Sequence, residues 1–192
     1  MTDNPLAAVN TADVLVNGWA PLAQEALLRL EGQDACKFLQ GQTTADFGQV
    51  NALDVIPGAF CDVKGRVIAD FRALIVDPET VILCVMESLA DLLSGHLTKY
   101  LMFSKAELNR IPEPPWGVVG SEAHHHFDVD QKLSEGNRVA AVAAGWLISL
   151  GHQTSLLIPE DAKQVEINLN NKSIDEFESA WRALACLRGE AR

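Results

Sequence analysis

The chain has 192 residues, is 48% hydrophobic and 21% charged, and carries a formal net charge of −11. That length allows one generous domain or two small ones, with apolar content enough for a true core. The acidic balance disfavours nucleic-acid backbone and anionic membranes as partners, and no run approaches the ~18–20 apolar residues of a membrane span.

The charge is unevenly spread. Residues 1–63 are net −6 and residues 111–180 net −7, whereas residues 64–110 are neutral and 181–192 are net +2. A small anionic ligand would therefore meet the 64–110 stretch or the last twelve residues. The four cysteines, Cys36, Cys61, Cys84 and Cys186, show no CxxC spacing and sit among apolar neighbours. They read as free thiols that behave as small hydrophobes rather than as metal ligands, in a reducing cytosol. The stretch MTDNPLAAVNTAD has no basic region leading an apolar one, so no secretory signal is expected. A cytoplasmic location follows from both readings.

In chain order, residues 1–18 are a polar lead-in. Trp19–Leu30 is ambiguous. A helix from Pro21 fits the composition, and Leu27–Leu30 reads equally as strand. Asp34 is a candidate N-cap for a short helix ending at Gly41. Beyond Gln40-Gly41-Gln42-Thr43-Thr44, a small-residue and amide cluster, Pro57-Gly58 opens the next unit. Ala59–Asp62 reads as a strand, Val63-Lys64-Gly65-Arg66 as a turn and Val67–Val76 as a second strand. Asp77-Pro78-Glu79-Thr80 makes a second turn into a third strand, Val81–Met86. Ser88 and Asp91 have the spacing of a capping box for a helix to about Leu101.

Phe103–Leu108 reads as strand, and Ile111–Pro115 breaks regular structure. Trp116–Val119 restarts a strand, and residues 121–137 look like loop. Val139–Leu150 and Thr154–Ile158 read as two paired strands, followed by a helix after Pro159 and a last helix from Asp175 to about Leu187. This order predicts an α+β protein, an antiparallel sheet with helices on one face.

Chemistry-bearing residues are few. His124-His125-His126 does not suit a metal site on an extended chain, where neighbours point to opposite faces. No nucleophile–base arrangement and no phosphate-cradling glycine loop is present in the sequence. Lys64, Arg66 and Arg72 suit a carboxylate, Arg by its bidentate fork, or form a solvated basic hairpin. Asp70 lies on an otherwise apolar strand, either paired with a nearby cation or held for the N–H groups of a ligand. Trp181, with Leu184 and Leu187 at helical spacing, reads as core, although its flat face also suits a heteroaromatic ring.

Read together, several of these pieces carry a resemblance. They are Gly32-x-Asp34-Ala35, Phe38-Leu39-Gln40-Gly41-Gln42-x-Thr44-x-Asp46, Lys64-Gly65-Arg66-Val67, Ala69-Asp70-Phe71-Arg72 and Lys99-Tyr100-x-x-Phe103-Ser104-Lys105. In this order they resemble the YgfZ-type folate-binding proteins, relatives of the glycine-cleavage T-protein, an aminomethyltransferase. The resemblance runs from about Leu28 onward. It implies an aminomethyltransferase folate-binding-like fold, with a ferredoxin-like antiparallel sheet domain packed on a first domain. The implied partition is 1–56 as part of that first domain, 57–180 as the ferredoxin-like domain and 181–192 as the start of a return segment.

The implied ligand is tetrahydrofolate or another reduced folate, with Trp181 as the contact the resemblance carries over; Asp70, Arg72, Arg66 and Lys64 are the further residues expected to hold it, and no catalytic residue and no metal is assigned. The implied role is that of an accessory protein for iron–sulfur enzymes, tRNA-modifying ones included. The alternatives are a T-protein-like aminomethyltransferase and a truncated, non-functional remnant. Trp181, Leu184 and Gly189 match the segment in which the tryptophan of the family contacts folate. A second folate-contacting tryptophan of some members falls here on Glu25, with Trp19 near but out of register. T-proteins carry an acidic pair where this chain has Ala69-Asp70, which weakens the transferase alternative. The Lys-Gly-Cys-Tyr-x-Gly-Gln-Glu motif of the family does not occur, so the chain is expected to be a C-terminally truncated member or a fragment, with apolar surface and strand edges exposed.

Overall fold

A computed structural model describes residues 17–127, 138–151, 154–160 and 165–187. The chain forms two compact units. One is Leu22–Pro115, and the other is made of what precedes and follows it. Each holds a five-stranded sheet in which every pairing is antiparallel. The α+β class expected from the sequence is what forms.

The flanking unit opens with β1 (Gly18–Pro21). The inner unit then runs β2 (Glu25–Glu31), α1 (Ala35–Gln42), β3 (Val55–Cys61), β4 (Val67–Asp77), β5 (Thr80–Met86), α2 (Glu87–Leu101) and β6 (Glu107–Ile111). Its strand order is β3-β4-β5-β2-β6. The ambiguity over Trp19–Leu30 resolves to two strands, because β2 is needed between β5 and β6. Alternation then sorts the side chains. Leu28 and Leu30 of β2, Phe71, Ala73 and Ile75 of β4, and Leu83 and Val85 of β5 share one face. There they join Phe38 and Leu39 of α1 and Leu93 and Leu97 of α2 in one buried cluster. Both helices of this unit therefore lie on one face of its sheet, and Asp70, Arg72, Cys84 and Glu25 lie on the other, among the buried Leu27, Leu74 and Ile82.

Three local expectations are corrected here. Asp34 precedes α1 but makes no side-chain cap. Its Oδ2 instead accepts from the Lys105 N–H at 3.0 Å, tying the turn before α1 to the chain after α2. The Ser88–Asp91 box does not form either, since α2 begins at Glu87 without a side-chain cap. Glu87 and Asp91 are drawn to Arg110, Asp91 at 3.2 Å. Finally β3 begins at Val55 and includes Pro57-Gly58. It is an edge strand, where a residue without an N–H is tolerated.

The flanking unit resumes with β7 (Trp116–Val119), α3 (Ser121–His126), β8 (Val139–Val142), β9 (Gly145–Gly151), β10 (Thr154–Pro159) and α4 (Ile174–Leu187). Its strand order is β1-β7-β10-β9-β8. The single strand expected over Val139–Leu150 is in fact a hairpin. Gly145, at φ 142, has the carbonyl oxygen of Ile158 2.1 Å from where a Cβ would stand, and it permits the tight reversal. Residues 121–126, read as loop, form α3, and the expected loop over 128–137 lies outside the described residues. Of the helix expected after Pro159, residues 161–164 lie outside the described residues, and 165–173 are not helical. α4 forms as expected, and it carries a reciprocal cap that was not among the expectations. The Glu176 N–H donates to Ser173 Oγ at 3.2 Å, and the Ser173 N–H donates to Glu176 Oε2 at 2.8 Å.

Candidate functional site

The residues singled out by sequence divide between the two units. Lys64, Arg66, Asp70 and Arg72 belong to the inner unit, and Trp181 belongs to the flanking one. Asp70 and Arg72 are two apart on β4, so their side chains leave the same face of the sheet. Their neighbours Ala69, Phe71 and Ala73 fill the helix-covered core on the opposite face. Both polar residues are half-buried. Arg72 lies opposite Pro57 on one side and opposite Cys84 on the other. The buried Cys84 thiol donates to Glu25 Oε2 at 2.7 Å. Glu25, Cys84, Arg72 and Asp70 thus form a polar row across β2, β5 and β4.

Such a row offers a carboxylate that accepts N–H groups and a guanidinium that takes a carboxylate. Sequence reasoning does not single out Glu25 and Cys84 as ligand-binding. Their approach follows from β2 pairing with β5, which local pattern does not reveal.

Lys64 and Arg66 sit elsewhere, at the tip of the β3–β4 hairpin. Arg66 is ~20 Å along the strand from Arg72. The tip is organised by Asp62. Its Oδ1 accepts the N–H groups of Lys64 at 2.8 Å and Arg66 at 3.0 Å, and its Oδ2 accepts Arg66 Nε at 2.7 Å. Gly65, at φ 76, supplies the left-handed residue of the turn. An Asp opening a Val-Lys-Gly-Arg turn is the sequence signal that could have identified this role. The Arg66 side chain is therefore already engaged, though 74% exposed, and Lys64 is exposed.

These bonds hold the Asp62 carboxyl below the usual range. The Arg66 N–H is the main cause, followed by its guanidinium and the Lys64 N–H, with His96 adding a favourable charge. A folded-state value below the unfolded one stabilises the tip above the ordinary Asp range, ~3.9, and that contribution is lost as pH falls through the depressed value. Acid titration followed by NMR is expected to move the Lys64 and Arg66 amide signals with a midpoint below that of an ordinary Asp. Asp62→Asn should abolish the transition.

Trp181 is buried on the apolar face of α4 with Phe177, Ala180 and Leu184. The Gly189 of its sequence motif lies outside the described residues. The histidine triplet falls on α3 rather than on an extended chain, and the His126 ring stacks on Trp19 at 4.4 Å. Among the described residues, no group of three or more His, Cys, Asp or Glu is placed to hold a metal ion. Among them, too, no helix is long and apolar enough to cross a membrane.

No protein-family model matches the chain. In structure it resembles the glycine cleavage system aminomethyltransferase T of Bartonella henselae, with a TM-score of 0.62 and 11% identity over 81% of this chain and 46% of that one. The class is thereby defined as an α+β protein with the aminomethyltransferase T fold. In sequence the likeness is to a particular protein. The chain is 37% identical over 99 residues to the tRNA-modifying protein YgfZ of Yersinia pestis (strain Pestoides F), covering 51% of this chain and 30% of that one. It is 30% identical over 141 residues to YgfZ of Vibrio vulnificus (strain YJ016), covering 73% of this chain and 43% of that one. The YgfZ resemblance read from the motifs therefore holds. The chain spans less than half the length of these curated relatives.

Proposed function

We propose that the chain is a cytoplasmic tetrahydrofolate-binding accessory protein that supports iron–sulfur enzymes, including those that modify tRNA. The observation that supports ligand binding is the polar row of Asp70 and Arg72 beside the Cys84–Glu25 hydrogen bond, on the sheet face away from α1 and α2. A reduced pterin presents several N–H donors, for which Asp70 is an acceptor. Its glutamate end presents carboxylates, for which Arg72 is the nearer partner and the hairpin tip of Lys64 and Arg66 the more distant one. Trp181, buried on α4 of the flanking unit, is tested as an aromatic contact by substitutions of its own. The role towards iron–sulfur and tRNA-modifying enzymes is supported by the similarity to proteins named tRNA-modifying protein YgfZ.

A transferase reading draws on the likeness to aminomethyltransferase T, which at 11% identity speaks to the fold alone. Titration calorimetry with tetrahydrofolate tests the proposal. The full chain is expected to bind saturably, and Asp70→Asn should weaken binding by about 1–3 kcal/mol through loss of a charge-assisted acceptor. An unchanged affinity in Asp70→Asn would remove Asp70 from the site, and no binding by the full chain would remove the function.

A further inference from the structure

The flanking unit holds a recess that the folate reading does not use. It measures about 430 Å³ and is lined by Trp19, His126 and Phe127 and by the segment 165–168. Its walls are fixed from two sides. The Trp19 backbone exchanges hydrogen bonds with Asn168, donating at 2.7 Å and accepting at 3.1 Å. The indole N–H donates to the Glu166 carbonyl at 2.7 Å. Gly18 makes this approach possible, because a Cβ there would stand 2.4 Å from the Asn168 carbonyl oxygen. The three rings support one another. His126 stacks on Trp19 at 4.4 Å and 22°, and Phe127 meets both rings edge-on, at 5.2 Å and 5.0 Å.

We propose that this recess binds a guanidinium-bearing small molecule. Aromatic faces attract a cation, and a guanidinium adds the flatness that lets it lie against rings and against the half-exposed Ile167. The exposed Glu166 carboxylate supplies a fork partner, and the Asn168 side chain adds an amide dipole. The surrounding sequence favours the same sign, since residues 111–180 carry eleven acidic and four basic side chains. An anionic ligand meets repulsion there, and an ammonium lacks the planar face. A pre-formed recess that sets aromatic side chains beside convergent polar groups is suited to a small planar cation.

The test is an NMR and calorimetric titration of the full chain with N-acetyl-argininamide. The expected result is a saturable shift of the Trp19 indole and Phe127 ring signals. Glu166→Gln, at an exposed position, should leave the melt unchanged and weaken binding by about fivefold. Phe127→Leu keeps apolar bulk but removes a ring, and should also weaken it. N-acetyl-lysinamide should bind at least about threefold less tightly. Absence of a saturable shift at tens of millimolar ligand overturns the proposal. So does equal binding of the lysine compound, or an affinity indifferent to Glu166→Gln. Because tetrahydrofolate affinity is measured separately, failure here leaves the folate reading as it stands.

Discussion

Trp181→Ala is expected to lower the free energy of unfolding by about 3–5 kcal/mol, as removal of a buried aromatic does. Trp181 is only 7% exposed and sits between Phe177, at 0%, and Leu184, at 1%, on one stripe of α4. Loss of folate binding in the alanine variant would therefore not by itself place the indole against a ligand. Trp181→Phe separates the two effects. It keeps most of the packing, and its melting curve should stay near that of the parent. If the indole stacks on a pterin, Trp181→Phe should still weaken tetrahydrofolate binding by about 1 kcal/mol, within the ~1–3 kcal/mol of aromatic–base stacks. Parent-like affinity in both variants, measured on folded protein, would show that Trp181 serves the core alone.

The second large effect is expected at Gly32. This residue has φ 131, a region that side-chain-bearing residues avoid, and a Cβ would stand 2.3 Å from the Lys105 carbonyl oxygen and 2.9 Å from the Ala106 Cα. Both obstacles are backbone, so neither can swing away. The position also joins distant parts of the inner unit, because its N–H donates to the Glu79 carbonyl at 2.8 Å. Its neighbour Asp34 exchanges hydrogen bonds with Lys105. Gly32→Ala should cost about 2–4 kcal/mol and lower the melting temperature by roughly 10 °C. Gly95→Ala provides the contrast. Gly95 lies inside α2, and nothing comes within 4 Å of where its Cβ would stand, so alanine there should stabilise by about 0.5–1 kcal/mol. A melt unaffected by Gly32→Ala would mean that the turn relaxes without loss.

The strands and helices with strong periodicity were legible because their pattern is local. β4, β5, α2 and α4 each carry their apolar residues at the spacing of the element they form. Polar side chains near element ends were harder to read. Asp34, Glu87 and Asp91 have the composition of helix caps, yet Lys105 and Arg110 draw them away. Those partners arrive from β6 and the turn before it, and no window of sequence around a helix start contains them. Half of the candidate site was legible for the same reason. Asp70 and Arg72 stand out as charges on an apolar strand, and their shared face follows from a spacing of two. Glu25 and Cys84 join them only because β2 lies beside β5, a pairing across 59 residues of chain. Ser173 and Glu176 were within reach of local reading, since their spacing is that of a capping box.

The inner unit begins and ends at one point, with the Leu22 N–H donating to the Pro115 carbonyl at 2.8 Å. It is thus an insertion in the loop that follows β1, and that arrangement sets an order of events during synthesis. All strands of the inner sheet are available once β6 has emerged, and their contacts are made within one continuous segment. β1 emerges before the inner unit, yet its partners are β7 and, through Trp19, Asn168, and the Trp19 indole waits for a carbonyl 147 residues further on. This early strand is therefore among the last to find its place. Long-range closure of this kind is slow and leaves an apolar segment without its partner meanwhile. In the cell, the vulnerable interval for this chain is the time between the appearance of Trp19 at the ribosome and the arrival of Glu166.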